Sequence, residues 1–246
     1  MPDLTILHTN DLHGKLPERA ANRIAQEKTS VANCLLLDAG DAVSSGNVYY
    51  RPGGEPVLAR LSDLGYDAMA MGNREFHFLA AGLKSKVSLA RFPVLSANLC
   101  SDKVEIGPSI QPYITRNFGD LRVIVFGLSV PMITKKMFAS KVSPYWFADP
   151  IETAARLVPE LRSQADILIA LTHIGLQNDV ELARQVSGID LIVSGHTHAV
   201  LQEARIEGET AIVQAGWWGH YLGRVDITIQ PGRHPIIDGR LIDLRA

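Results

Sequence analysis

The chain has 246 residues, 46% of them apolar and 20% charged, with a formal net charge of −2 from 24 basic and 26 acidic side chains. That length and composition suit one large α/β domain whose core needs no staples. The balanced, unclustered charge speaks against a nucleic-acid groove or an anionic membrane surface.

The opening stretch, MPDLTILHTNDLHGKL, has no basic run followed by a long apolar one, and no apolar run approaches the roughly 20 residues of a membrane helix. The expected location is cytoplasmic, with no membrane partner. Cys34 and Cys100 lie far apart without metal-ligand spacing and read as buried reduced thiols.

In chain order, short apolar runs, several rich in β-branched residues, at 4–7, 34–37, 68–71, 94–97, 123–128, 167–171, 191–193, 211–214 and 222–229 predict strands. A last strand near 236–244 follows the turn signal Pro231-Gly232. Helix candidates lie at 18–29, 56–64, 78–90, 150–164 and 179–186. The fourth has a defined start: Asp149 can accept from the first turn, Pro150 loses nothing there, and Glu152 completes a capping pattern. Strands alternating with helices mean a layered α/β fold. The strand-rich final third predicts a second, partly antiparallel sheet packed on the first. No repeat, low-complexity tract or long linker interrupts residues 1–246, which read as a single domain.

Five strand candidates end in residues suited to metal. The run 4–7 leads into His8-Thr9-Asn10-Asp11-Leu12-His13, and 34–37 into Asp38-Ala39-Gly40-Asp41. Next, 68–71 leads into Gly72-Asn73, 167–171 into Thr172-His173, and 191–193 into Ser194-Gly195-His196-Thr197-His198. In open α/β sheets the ligand crevice lies beyond the carboxyl ends of the strands, and the glycines at 40, 72 and 195 let the backbone turn sharply there. Alone, Asp11 reads as a turn or cap residue, His173 as a core or surface histidine, and Asn73 as part of a turn. Five matches in order, all at strand ends, make Asp11, His13, Asp41, Asn73, His173, His196 and His198 candidate metal ligands. Mixed carboxylate, amide and imidazole donors suit a borderline divalent ion such as manganese, zinc, iron or cobalt. They are too many for one ion; two ions about 3.5–4 Å apart, bridged by one carboxylate, would use them all.

The blocks Thr9-Asn10-Asp11-Leu12-His13-Gly14, Gly40-Asp41 with Ser45-Gly46, Gly72-Asn73-x-Glu75-Phe76, Thr172-His173-x-Gly175 and Gly195-His196-Thr197-His198 resemble those of the calcineurin-like metallophosphoesterases. The similarity is to the 5'-nucleotidase-like branch, which Gln214-Ala215-Gly216 and Tyr221-Leu222-Gly223-Arg224 also resemble. The resemblance implies a four-layer αββα sandwich of two mixed sheets flanked by helices, with a dinuclear site. By position, Asp11, His13, Asp41 and His198 would hold one ion. Asp41, as the bridge, with Asn73, His173 and His196 would hold the other. The implied activity is hydrolysis of phosphate esters: a nucleotide or other small phosphomonoester or diester. In the implied mechanism a metal-bound hydroxide attacks phosphorus and the ions offset the charge that builds up. Asn10 and Asp38 are expected to orient the ligand imidazoles.

The third block departs from the family pattern. Gly-Asn-His-Glu-Phe-Asp is usual, with the His assisting the leaving group; here it is Gly72-Asn73-Arg74-Glu75-Phe76-His77. Arginine keeps its proton at any ordinary pH, so Arg74 cannot be the general acid, although it can clamp a phosphate oxygen. His77 has the pKa range for proton transfer and is the alternative candidate, against a structural role. Secreted relatives carry a C-terminal domain that grips the nucleobase; none is expected within this chain. Trp217 and Trp218 are candidates to stack on a flat group, or to pack on a helix or partner subunit. His8 and His220 are expected to be structural or rim residues. Three readings stand: a phosphoesterase, a metal-binding regulatory or scaffolding protein with little turnover, and an enzyme that keeps the site but cleaves a different bond. The oligomeric state is open.

Overall fold

The computed structural model describes residues 2–230 and 232–245, so Pro231 of the predicted turn lies outside the described residues. The first strands are β1 (Leu4–Thr9), β2 (Cys34–Asp38), β3 (Ala68–Ala70), β4 (Val94–Leu95), β5 (Leu99–Ser101), β6 (Ile110–Gln111), β7 (Tyr113–Phe118) and β8 (Leu121–Ser129). They are followed by β9 (Tyr145–Phe147), β10 (Ile167–His173), β11 (Leu191–Val193), β12 (Arg205–Glu207), β13 (Thr210–Val213), β14 (Tyr221–Thr228) and β15 (Ile236–Asp243). The helices are α1 (Glu18–Thr29), α2 (Pro56–Asp63), α3 (Ala80–Val87), α4 (Pro150–Arg162) and α5 (Leu176–Gln185). None among the described residues is long and apolar enough to cross a membrane.

Two large sheets form, in the strand orders β15-β14-β1-β2-β3-β4-β6 and β12-β13-β11-β10-β8-β7. Neighbours from β1 to β6 in the first sheet, and β8, β10, β11 and β13 in the second, run parallel. The central strands are covered on both faces, which is why they read as unbroken apolar runs such as Leu35-Leu36-Leu37. Successive side chains alternate faces. Leu35 and Leu37 meet Val125, Ile169 and Leu171 of the other sheet, whereas Leu36 packs with Ile24 of α1 and Leu58 of α2. On the far side, Phe126 and Leu168 pack against Val158 and Leu161 of α4 and Leu182 of α5. Three apolar layers thus separate helices, sheet, sheet and helices, which is the four-layer αββα sandwich. The cap on α4 forms as its residues predict: Asp149 Oδ1 accepts from the N–H groups of Ile151 and Glu152, both at 2.9 Å.

One expectation is corrected. The final third does not build the second sheet alone: β14 and β15 return to the first, antiparallel beside β1. The reason is burial on both faces. Leu222 joins the helix-side core while Val225 and Ile227 join the layer between the sheets, so β14 fits only as an interior strand. The strand β15, with Asp238, Arg240 and Asp243, makes a charged edge. Strands β5, β6, β7, β9 and β12 are not predicted from sequence; they are short or polar, and only pairing with distant partners makes them strands. Helix α5 begins earlier than predicted because Gly175, at φ +89°, turns the chain directly from β10 into it.

Candidate metal centre

The ends of β1, β2 and β3 in one sheet and of β10 and β11 in the other converge on one edge of the sandwich. Loops after β1 and β2 run side by side, with Asp11 N–H donating to the Gly40 carbonyl and His13 N–H to that of Asp41, both at 2.9 Å. Among the described residues, six non-glycine positions have positive φ, and five are candidate ligands: Asp11, His13, Asp41, His196 and His198. Each such conformation costs about 1–2 kcal/mol, a strain held in place by the surrounding hydrogen bonds.

Glu75, fully buried, is one of those holders. Its Oε2 accepts from the N–H groups of Asp41 and Gly72, each at 2.9 Å, and its Oε1 from Val43 at 3.1 Å. Gln214 does the same for the last loop: Nε2 donates to Ser194 Oγ at 2.8 Å and to the Gly195 carbonyl at 2.7 Å, and Oε1 accepts from Thr197 at 3.0 Å. Neither role is legible in the sequence, although both residues stand inside the family-like motifs. The glycines also need a sharper account. Gly40 uses its left-handed freedom at φ +90°. At Gly72 the requirement is close approach, because an added Cβ would lie 2.3 Å from Asp41 Oδ1.

The structure brings all seven candidate ligands together, in two groups about a central carboxylate. Asp41 Oδ2 lies 3.6 Å from His13 Nε2, and its Oδ1 3.4 Å from His173 Nε2. On the first side, Asp11 Oδ1 is 3.3 Å from His198 Nε2 and 3.7 Å from His13 Nε2. On the second, Asn73 Oδ1 is 3.1 Å from His196 Nδ1, and the His173 and His196 rings sit 5.1 Å apart. Asp11, Asp41 and His173 form the buried floor; His196 is exposed, and His13 and His198 are half-buried. A ligand therefore approaches from the imidazole side.

These residues fit a metal. Asp11 Oδ1, His13 Nε2 and His173 Nε2 are buried without any hydrogen-bond partner among the described residues, and all three belong to compact clusters of metal-type donors. Leaving such atoms unpaired is costly unless a cation takes them up. The electrostatics agree. Burial alone would lower His173, but the Asp41 carboxylate beside it favours its charged form, lifting its pKa to about 9. Burial would raise Asp41, yet His13 and His173 hold it well below the usual carboxylate range. His196 is depressed, first by burial and then by the charge on His173. The two carboxylates thus demand positive charge at this spot, whether from protons or from metal.

Around the cluster, several expectations are corrected. His77 does not face it: Nδ1 accepts from the Leu79 N–H at 3.0 Å, Nε2 lies 3.1 Å from the Val48 carbonyl, and the ring stacks on Phe78. Both nitrogens are committed to backbone, which removes His77 from proton transfer at the cluster. Among the described residues, neither Asn10 nor Asp38 hydrogen-bonds to a ligand imidazole. Asn10 Nδ2 donates to Asp11 Oδ2 at 2.8 Å, while Asp38 accepts from Thr9 Oγ1 at 2.6 Å and Gly40 N–H at 2.9 Å. The His173 ring is oriented instead by the Ala39 carbonyl, 2.7 Å from Nδ1. Arg74 does sit at the site, with Nε 3.4 Å from Asp41 Oδ2. Trp217 stacks on His198 with ring centroids 5.8 Å apart, whereas Trp218 points outward beneath Lys15. His220 packs against both tryptophans at the rim. His8 is buried in β1 and neutral, since burial drives its pKa to about 3.

A four-layer sandwich with carboxylates and imidazoles gathered where both sheets end defines the metallophosphoesterase class of fold. The chain belongs to the calcineurin-like phosphoesterase family, whose sequence model matches residues 4–200. It is similar to the trifunctional nucleotide phosphoesterase YfkN of Bacillus subtilis, at 35% identity over 92% of this chain and 18% of that one. It is also similar to the 5'-nucleotidase of Vibrio cholerae, at 31% identity over 97% of this chain and 51% of that protein. Among solved structures, the 5'-nucleotidase precursor of Thermus thermophilus superposes with a TM-score of 0.78 and 28% identity, covering 98% of this chain and 54% of its own. The sulfate thiohydrolase SoxB of the same genus shares the fold, with a TM-score of 0.82 at 22% identity over 99% of this chain and 57% of that one. The chain spans about half the length of the 5'-nucleotidases it matches.

Proposed function

We propose that this chain hydrolyses phosphate esters, of a nucleotide or another small phosphomonoester or diester, with two divalent ions held by the seven clustered residues. Family membership and the nucleotide phosphoesterases among its relatives support the reaction class. The single observation that carries the dinuclear reading is Asp41, whose two oxygens face different halves of the cluster. Asp11, His13 and His198 with Asp41 would hold one ion, and Asn73, His173 and His196 with Asp41 the other. The mixed donors favour manganese, zinc, iron or cobalt.

When bound, such a pair supplies Lewis acidity toward phosphoryl oxygens and offsets their charge. The chain's own residues do the rest. Asn10 and Glu75 hold the ligand carboxylates and loops in register, the Ala39 carbonyl sets the His173 tautomer, and Arg74 presents a permanent positive charge beside Asp41. Trp217 offers a flat apolar face next to His198 for a base or other planar group. The free thiols of Cys34 and Cys100 accord with the proposed cytoplasmic location.

A screen of phosphate monoesters and diesters with added manganese, zinc, iron or cobalt tests this, with Asp41→Ala as control. Activity that survives loss of Asp41 would reject metal-centred hydrolysis. The second reading, a metal-binding protein with little turnover, is favoured by Arg74 standing where the family has histidine; bound metal with no hydrolysis of any ester would establish it.

A further inference from the structure

Lys86, on α3, is completely buried. A lysine ammonium taken out of water must find acceptors for its three N–H donors. Its Nζ donates to the Gly46 carbonyl at 2.8 Å, to Ser45 Oγ at 3.0 Å, and to the carbonyl of Arg74. Ser45 in turn donates to Oε1 of the buried Glu55 at 2.6 Å, which places a carboxylate one hydroxyl away from the charge. Burial lowers the pKa of Lys86, and Glu75, Glu55 and Asp41 oppose that.

These acceptors share a purpose. Arg74 Nη1 donates to the Ser44 carbonyl at 3.0 Å, and the Arg74 N–H donates to Asp41 Oδ1 at 2.7 Å. The guanidinium therefore rests on a segment whose next two residues are held by Lys86, while the backbone of Arg74 is held by the same ammonium. Both ends of the Ser44–Arg74 contact hang on one buried cation. A lysine that merely filled the core would satisfy none of this, since methionine matches its apolar length without a charge to accommodate.

Resting on the reading that Arg74 meets a phosphoryl oxygen, we propose that Lys86 is a positioning residue, locking residues 44–46 to the Arg74 segment so that the guanidinium stays aimed at a bound phosphate group. Calorimetric binding of inorganic phosphate to the manganese-loaded protein tests it, because that readout does not require turnover. Arg74→Met should weaken phosphate by about 10- to 100-fold, as expected for a charge-assisted hydrogen bond. Lys86→Met should weaken it by about fivefold or more, and the double variant no further than Arg74→Met alone. Manganese content should be unchanged throughout.

Additive losses, or a Lys86→Met protein that binds phosphate like the parent, would overturn the proposal. Should Lys86→Met fail to fold, Ser45→Ala, which deletes one acceptor, carries the same comparison. A loss that vanishes in the Arg74→Met background supports the proposal, and an equal loss in both backgrounds overturns it. Phosphate binding without hydrolysis of any ester counts against the hydrolase reading alone. A parent protein that fails to bind phosphate overturns the role of Lys86.

Discussion

Asp11 Oδ2 accepts the backbone N–H of His196 at 2.9 Å, across 185 residues of sequence. The bond joins the loop after β1, in one sheet, to the loop after β11, in the other. The second oxygen of the same carboxylate has no hydrogen-bond partner among the described residues and faces His13 and His198. On the proposed metal reading, holding the two sheet ends together and ligating an ion would fall to one side chain, which would couple metal binding to local folding.

Chelation should therefore lower the melting temperature, because a ligand bound at 100 times its Kd stabilises the native state by about 2.7 kcal/mol. Asp11→Ala should melt lower than the parent even in chelator, and added manganese should raise its midpoint by less than it raises the parent's. Scanning calorimetry with and without manganese checks this. A manganese response as large as the parent's would show that Asp11 is no ligand.

Leaving groups should matter steeply. Arg74 keeps its proton, and His77 has both nitrogens engaged by backbone, so neither can protonate a departing oxygen. A positioned acid typically contributes about 10²–10⁴ in rate. Hydrolysis of a nitrophenyl phosphate should exceed that of an alkyl phosphate by a factor in this range, measured as kcat/KM. Near-equal values would point to an acid elsewhere.

The pairing of His8 with Gly223 across β1 and β14 tolerates no side chain at 223. A Cβ there would lie 1.9 Å from His8 Nε2. Gly223→Ala should destabilise by about 1–3 kcal/mol in urea unfolding, the usual range for overpacking. Adding His8→Ala should recover part of that loss; two penalties that simply sum would contradict the clash.

Asp179 gives a pH dependence of definite sign. It is buried, accepts from Thr172 Oγ1 at 2.7 Å and from Ser194, and burial pushes its pKa from 3.8 to about 7. As pH rises between those values the unfolded chain releases this proton and the native state retains it, so stability falls across that window and levels above it. Asp179→Asn cannot ionise and should flatten the slope. Urea midpoints through the window, taken in chelator, decide the matter; an unchanged slope would place the titration elsewhere.

Much of the site was readable from residues alone. Asp11, Asp41, Asn73, His173, His196 and His198 each come shortly after an apolar run, and a buried strand in a parallel sheet delivers the residues beyond its carboxyl end to the ligand edge. The alternation of Leu35, Leu36 and Leu37 likewise announces a strand with two covered faces. Direction and partnership were hidden. His77 stands three residues from Arg74, yet the chain turns there toward α3 and tucks the ring under Phe78. Lys86 looks in sequence like any helix lysine, and its role appears only when residues 44–46 and 74 close over it. The place of β14 beside β1 is of the same kind.

The sequence by itself determined which residues are apolar, at what period, and which ligand types come after each strand, because these are local properties of a chain. Only the tertiary structure decided which oxygen meets which imidazole, which sheet each late strand joins, and which charge is buried. Those outcomes depend on hydrogen bonds and packing between residues dozens to hundreds of positions apart, and spacing along the chain carries no record of them.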